Sequence, residues 1–100
     1  MNFTPHRGHE PSGKHPALVV SFAAYNRGVG LALCCPITSR VKGYPFEVVL
    51  PSELKTQGAI LSDHIKNLDW KARKAIFIER VSKQIGYEVA QKIQVLLMGE

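Results

Sequence analysis

The sequence has few cysteines and no long apolar run, and these absences exclude several classes of protein. Only two of its 100 residues are cysteine, and they are adjacent, at Cys34 and Cys35. Neighbouring side chains on a strand point to opposite faces, so we expect no disulfide between them and at least one reduced core cysteine. No stretch approaches the roughly 18 apolar residues that cross a bilayer. With no secretion signal at its start, the sequence predicts a cytoplasmic protein without a membrane segment.

Familiar nucleotide, metal and hydrolase motifs are also absent. The chain contains no Gly-x-Gly-x-x-Gly, no Walker-type loop, no His-Glu-x-x-His and no Gly-x-Ser-x-Gly. His6, His9 and His15 are close together in the sequence, but without cysteine or regular spacing they are typical of solvated histidines. We therefore expect neither a metal nor a cofactor.

What the chain does have is a basic surplus in a length that makes one domain, residues 1–100. Lys and Arg number 13 against 8 Asp and Glu, a formal net charge of +5. Hydrophobic residues make up 45%, which suits a packed core rather than a disordered chain. The charge favours a polyanion or an acidic protein as partner, although many small basic domains bind neither.

Hydrophobic patterning predicts a mainly β domain with one C-terminal helix. An amphipathic helix is expected from an N-cap at Ser82 to a stop at Gly99, with Ile85, Val89, Ile93 and Leu97 as its core stripe. Short strands followed by one helix predict a small barrel. The expected strands are 17–22, 31–35 (closed by Pro36), 45–50, 59–62, 64–68 and 75–81, the loops are 1–16 and 38–44, and the turns are 26–28, 57–58 and 69–73.

Polar residues cluster at the ends of the first two predicted strands. Glu10, Lys14 and His15 precede one strand, and Thr38, Ser39, Arg40 and Lys42 follow the other. If the strands are antiparallel neighbours, the two clusters meet at one rim. Cleaving RNA without metal needs a base, an acid and donors for the charge on phosphorus, and these side chains supply them. Polar loops at strand ends are also commonplace, so this reading stands beside an ordinary solvated rim.

Several fragments, in order, resemble the MazF/PemK toxins. The Pro-x-Thr-Ser/Thr motif and the block that follows it in that family match 36–39 and 42–48. The family's Gly-x-x-Leu-x-Asp-Gln-Val-Lys is similar to 58–66, with 69–73 following in register. The remaining matches are Gly8-His9-Glu10, Gly13, Pro16 to Ser21, and Tyr25-Asn26.

The resemblance implies a fold, an activity and partners. The fold would be an SH3-like β-barrel with a C-terminal helix, assembled as a homodimer. The activity would be metal-independent, sequence-specific cleavage of single-stranded mRNA, leaving 2′,3′-cyclic phosphate and 5′-hydroxyl ends. Such a toxin belongs to a type II toxin–antitoxin system, and its partner would be an antitoxin with an acidic, disordered tail, which fits the +5 charge.

Position by position, the resemblance also implies site residues. Thr38 falls on the catalytic threonine, Glu10 on the acidic position of the same site, and His15 where the family has its catalytic arginine. Trp70 is expected to be a packing or dimer residue. The candidate RNA-binding residues are Asn2, Lys14, Ser39, Arg40, Lys42 and Arg73.

Two departures from the family pattern qualify this function. A histidine lacks the permanent charge and planar fork of arginine, so we expect His15 to weaken cleavage, although an imidazole can also serve as acid or base. Family members begin further upstream, so most of their first strand is expected to be missing before Met1. The alternative function is a non-catalytic SH3-like binding module that inhibits a protein target, as gyrase poisons of this fold do, or that only binds antitoxin.

Overall fold

A computed structural model describes residues 4–10 and 13–99, with side chains from residue 15 onward. Two helices, α1 (Ala23–Val29) and α2 (Lys83–Met98), accompany a mainly antiparallel sheet, and a short 3₁₀ turn covers Ser62–His64. The mainly β architecture with a C-terminal helix that the sequence predicts is therefore confirmed. The strands are β1 (Thr4–Glu10), β2 (Gly13–Val19), β3 (Ala32–Thr38), β4 (Glu47–Val49), β5 (Ala59–Leu61), β6 (Lys66–Leu68) and β7 (Ile76–Phe77).

The centre of the sheet is β3, which pairs with three other strands. The strand order is β4-β5-β3-β2-β1-β7, and β6 pairs with the first half of β3. The end strands β4 and β7 do not pair with each other within the described parts of the chain, so the expected barrel is open there. In this topology β2 and β3 are antiparallel neighbours. That is the arrangement needed for the two polar clusters predicted from the sequence to meet at one rim.

The sheet carries a hydrophobic cluster on each face, and the adjacent cysteines divide between them. Cys35 belongs to the main core, which α2 covers and to which Leu18, Ile60 and Val89 contribute. Cys34 belongs to a smaller cluster with Val19 and Ala32, against which Leu68 and Trp70 pack. Both thiols are buried and free, as the alternation of side chains along a strand predicts. The packing position expected of Trp70 is also confirmed.

Helix α2 begins and ends where its local signals predict. The Ser82 hydroxyl accepts a hydrogen bond from the Ile85 N–H at 3.3 Å, which satisfies one of the free donors of the first turn. Gly99 ends the helix in the left-handed conformation. Its apolar stripe is buried at Ile85 and Val89 only, and Leu97, which was expected in the core, is 78% exposed. None of the helices in the described residues is both long and apolar enough to span a membrane.

Two segments of the first thirty residues differ from the sequence prediction. The sequence predicts a loop over 1–16. For the described residues of that range the prediction is wrong, because Thr4–Glu10 and Gly13–Val19 form an antiparallel pair despite their Gly, Pro and His content. Strand pairing overrides such weak local preferences. The turn expected at 26–28 is wrong as well: these residues lie in α1, which ends at Gly30 (φ 82°).

Two further strand boundaries are also corrected. β3 continues through Pro36 to Thr38, because Pro36 lies between the part of β3 that pairs with β6 and the part that pairs with β5. A proline is tolerated where no partner needs its missing N–H. The strand expected over 75–81 is reduced to Ile76–Phe77, which pairs only with β1.

Candidate functional site

His15 and Thr38 lie near neighbouring ends of the paired strands β2 and β3. Ala17 pairs with Pro36, so continuing this antiparallel register by two residues places His15 opposite Thr38. Two residues along a strand return to the same face, so both side chains lie on the face that carries Ala17 and Cys34. His15 is exposed and Thr38 is half-buried. The antiparallel pairing that the predicted rim requires is therefore present, and its extension would set these two residues opposite each other.

Contacts with neighbouring residues fix both the side chain and the backbone of Thr38. Its hydroxyl oxygen accepts the Arg40 N–H at 3.1 Å, which leaves the hydroxyl hydrogen available to another acceptor. Gly58 (φ 117°) approaches so closely that a Cβ there would lie 2.0 Å from the Thr38 carbonyl oxygen. Only a glycine fits this contact, which fixes the end of β3 against the turn before β5.

The loop after β3 (residues 39–46) carries three predicted RNA-binding residues, Ser39, Arg40 and Lys42, all of them exposed. The Glu47 carboxylate accepts the backbone N–H groups of Lys42 (3.1 Å) and Gly43 (3.0 Å). The ammonium of Lys92, on α2, donates to the Pro45 carbonyl at 2.7 Å. These hydrogen bonds therefore fix the backbone of the loop that carries Arg40 and Lys42.

The tip of the same loop is fastened to the 3₁₀ turn by Tyr44. Its hydroxyl donates to the Asp63 carboxylate, and this hydrogen bond is the main cause of the raised pKa of Tyr44. The Tyr44 ring also packs at a tilt against Phe46, with centroids 5.9 Å apart. Tyr44 is thus protonated at neutral pH and acts as a donor.

A cavity of about 310 Å³ opens on the face that carries His15. Its floor is apolar and includes Ala17, Cys34 and Pro36, and Trp70 forms part of its wall. Three basic side chains line the same cavity, namely His15, Lys66 and Arg73. The cavity therefore extends the His15 site into a pocket bordered by positive charge.

A hydrogen-bond network holds the Trp70 wall in place. The indole N–H donates to the carbonyl of Asn26 on α1 at 3.1 Å. The Asn26 side chain accepts from the Ser21 hydroxyl at 2.5 Å, and that hydroxyl accepts the Leu33 N–H at 3.0 Å. Helix α1 thereby ties Trp70 to β3, which explains the role of the Tyr25-Asn26 motif in structural terms.

Burial and a neighbouring charge shift the pKa of Cys34, on the cavity floor, in opposite directions. Desolvation by burial raises the pKa of Cys34 to about 11, while the nearby Arg73 guanidinium partly lowers it. The Cys34 thiol is therefore neutral at neutral pH and unsuited to be a nucleophile. Among the residues described, no group of three His, Cys, Asp or Glu side chains is arranged to hold a metal ion.

The predicted site residues fall into three groups. His15 and Arg73 line the cavity, Thr38 ends β3, and Ser39, Arg40 and Lys42 follow Thr38 in the loop. Asn2 lies outside the described residues, and for Glu10 and Lys14 only strand positions at the turn end of β1 and β2 are described. The sequence did not predict Lys66 as a site residue. It reaches the cavity because β6 pairs with β3, with Lys66 opposite Cys34.

The fold and the site together define a class of protein. It is a mainly β protein with a C-terminal helix, whose polar residues near two adjacent strand ends and basic cavity lining suit a phosphodiester. A profile of the family described as PemK-like, MazF-like toxin of type II toxin–antitoxin systems matches residues 1–97. The chain belongs to this family. Its expected place among type II toxins with endoribonuclease activity is thereby confirmed.

Individual relatives agree with this assignment. The chain is 39% identical over 97 residues to the endoribonuclease toxin MazF of Escherichia coli K12, covering 97% of this chain and 86% of that protein. It is 34% identical over 103 residues to endoribonuclease PemK of Escherichia coli, covering 97% and 76%. The crystal structure of MazE–MazF (form II) from Deinococcus radiodurans superposes with a TM-score of 0.91 at 43% identity, covering 95% and 91%.

A more distant structure shows how far the fold extends. An endoribonuclease in complex with its cognate antitoxin, from a mycobacterial species, superposes with a TM-score of 0.80 at 20% identity, covering 94% of this chain and 90% of that one. At this identity the likeness concerns the fold alone. The open sheet seen here is thus the framework of the SH3-like fold expected from the sequence.

Proposed function

We propose that this toxin cleaves single-stranded RNA without a metal ion, at the site where His15 and Thr38 meet. The observation that supports the proposal is the β2–β3 register: extended by two residues beyond the Ala17–Pro36 pair, it sets His15 opposite Thr38, and Arg73 lines the same cavity as His15. Imidazole, hydroxyl and guanidinium groups are the kinds of side chain that this reaction requires.

The chemistry needs no group beyond the RNA and these side chains. The ribose 2′-oxygen attacks the adjacent phosphorus, its proton passes to a base, and the bond from phosphorus to the 5′-oxygen breaks. An acid protonates that oxygen, and the products are a 2′,3′-cyclic phosphate and a 5′-hydroxyl. The His15 imidazole takes up the proton from the 2′-oxygen and then releases it to the 5′-oxygen, so one group serves first as the base and then as the acid. Arg73 supplies paired N–H donors for the phosphate charge, and the Thr38 hydroxyl supplies another.

Cleavage is expected to be weaker than that of a family member with arginine at position 15. The two donors of an arginine fork bind two phosphate oxygens at once and keep their charge at every pH. His15 provides a shorter side chain with fewer donors. Arg73 offsets part of this loss, because it lines the same cavity.

The partner is an antitoxin, and the toxin acts as a homodimer. Solved relatives are MazE–MazF complexes and an endoribonuclease with its cognate antitoxin. The net charge of +5 is complementary to an acidic antitoxin segment that competes with RNA for the same cations.

The direct test is RNA cleavage in the presence of EDTA. We expect discrete fragments with 5′-hydroxyl ends from a long single-stranded RNA. Thr38→Val removes only the hydroxyl and should lower the rate by about 100-fold or more, whereas Thr38→Ser should retain much of it. Intact RNA together with tight antitoxin binding would instead favour the non-catalytic module. Equal cleavage by the Val and Ser variants would exclude the proposed role of Thr38.

A further inference from the structure

The cavity beside His15 is built differently from the exposed loop that carries Arg40 and Lys42. Its floor consists of buried or half-buried apolar side chains, including Ala17, Ala32 and Cys34. Its wall includes Trp70, which is half-buried and fixed by its hydrogen bond to the Asn26 carbonyl. An apolar cavity with a rigid aromatic wall is preformed for a flat, apolar group.

The size of the cavity limits what can occupy it. Its volume of about 310 Å³ lies at the lower end of the range of roughly 300–1,000 Å³ that is usual for small-molecule sites. That space suits one ring system or one side chain, and it is too small for a helix or a folded segment. The occupant is therefore a single group that projects from a larger ligand.

The charges around the cavity select an anionic ligand. His15, Lys66 and Arg73 line it, and none of the described residues that line it is acidic. The Lys71 ammonium adds a further cation 5.4 Å from the centroid of the Trp70 ring. A flat apolar group carried on a chain of negative charges fits this combination.

We propose that this cavity receives one unstacked base of the RNA substrate, next to the phosphate that lies at His15 and Thr38. This inference rests on the proposed ribonuclease function and assigns that site a subsite for base recognition. Proteins read single-stranded RNA mostly by splaying out bases and packing them against aromatic side chains. The cavity is continuous with the cleavage site through His15, so a base there fixes the register of the chain at the cut.

A side chain of the antitoxin is the competing occupant. It would suit the apolar floor, but an apolar side chain makes no use of the basic side chains His15, Lys66 and Arg73 that line the cavity. The charge therefore favours RNA, and competition by antitoxin for the same cavity would be a consequence rather than the primary function.

The single tryptophan of the chain makes the proposal directly measurable. The probe is a short RNA spanning a cleavage site mapped by 5′-hydroxyl end sequencing, with a 2′-deoxy nucleotide at the cut so that it binds without reacting. If the wild type does not cleave, a set of short random-sequence RNAs replaces it. We expect RNA to change Trp70 fluorescence on binding. Removing one particular base, by an abasic nucleotide, should abolish that change and weaken binding about tenfold or more.

Filling the cavity provides the matched test by mutation. Ala17→Leu and Ala75→Leu project extra atoms into it from different sides, and Ala24→Leu makes the same change at an exposed position on α1. We expect either filling variant to weaken RNA binding about tenfold and to become insensitive to the abasic nucleotide, while Ala24→Leu behaves as the wild type. Thermal unfolding identifies any filling variant that fails to fold, and the other variant then decides.

Two outcomes would overturn the proposal. RNA binding that is unaffected by both folded filling variants would show that no base enters the cavity. Loss of antitoxin binding alone in those variants would assign the cavity to the antitoxin. Because the 2′-deoxy RNA measures binding without turnover, either result is distinguishable from a failure of the cleavage reaction, which the Thr38 variants test separately.

Discussion

The family resemblance puts His15 where the catalytic arginine is expected, and we predict that turnover depends on this residue. We predict that His15→Arg raises kcat/KM for RNA cleavage about tenfold or more, because the planar guanidinium donates to two phosphate oxygens at once. His15→Gln, which keeps a polar side chain without the ability to exchange a proton near neutral pH, should lower it. Rates measured from pH 5 to 9 on one RNA check both variants. An arginine variant no faster than the wild type would show that His15 is not a weakened substitute.

At this scale the sequence predicted the side chains that belong to a motif and missed those placed by pairing. Thr38 and His15 follow from their motifs, and they lie on strands that pair as antiparallel neighbours. Lys66 is the last residue of the family-like segment 58–66, but that motif does not predict a cavity position, and Lys66 lines the cavity because β6 pairs with β3 at Cys34. Such cross-strand placement depends on the register of two distant segments, which composition does not encode.

Among the elements, the junction between β3 and the turn before β5 is under the tightest constraint. We predict that Gly58→Ala lowers the free energy of unfolding by about 1–3 kcal/mol, since its φ of 117° and its contact with the Thr38 carbonyl both exclude a Cβ. Because Thr38 must shift to relieve the clash, RNA cleavage should fall more than stability alone explains.

The matched control for that change is Gly28→Ala. Gly28 lies in α1 with nothing within 4 Å of an added Cβ, so this substitution should be neutral or slightly stabilising, by about 0.5 kcal/mol. Urea unfolding and cleavage rates of the two variants should be compared side by side. If Gly58→Ala retains both wild-type stability and wild-type cleavage, the close approach does not hold Thr38.

Elements whose signals lie within a few residues of one another were predicted correctly, and elements that depend on contacts with distant segments were not. Helix α2 was bounded correctly because a serine cap and a terminal glycine are contacts within a few residues. The strands β1 and β2 and the helix α1 were not. Their Gly, Pro, His and Asn residues favour loops and turns locally. The pairing of β1 with β2, the pairing of β2 with β3 and the hydrogen bond from the Trp70 indole to the Asn26 carbonyl reverse that preference.

For the whole molecule, the exposed apolar end of α2 indicates where a second chain packs. Val95, Leu96, Leu97 and Met98 are between 43% and 78% exposed, and contiguous exposure of this kind marks interaction surfaces. We predict a native mass twice that of the 11.1 kDa chain by sedimentation equilibrium, falling to one chain in Leu97→Lys. Val29→Lys, at a valine of α1 that is 55% exposed, should leave the mass unchanged. A dimer that persists in Leu97→Lys would place the interface elsewhere.

The adjacent cysteines have a consequence for how the molecule opens. Burial raises the pKa of Cys34 to about 11 and that of Cys35 to about 12, so both thiols stay protonated and slow to react until their surroundings separate. The Sγ of Cys34 is released when the cavity face loosens, and that of Cys35 only when α2 and the main core part. Only the Cys35 thiol remains in Cys34→Ala, and only the Cys34 thiol remains in Cys35→Ala. The reaction rates of these two thiols would therefore report separately on the opening of the main core and of the cavity face.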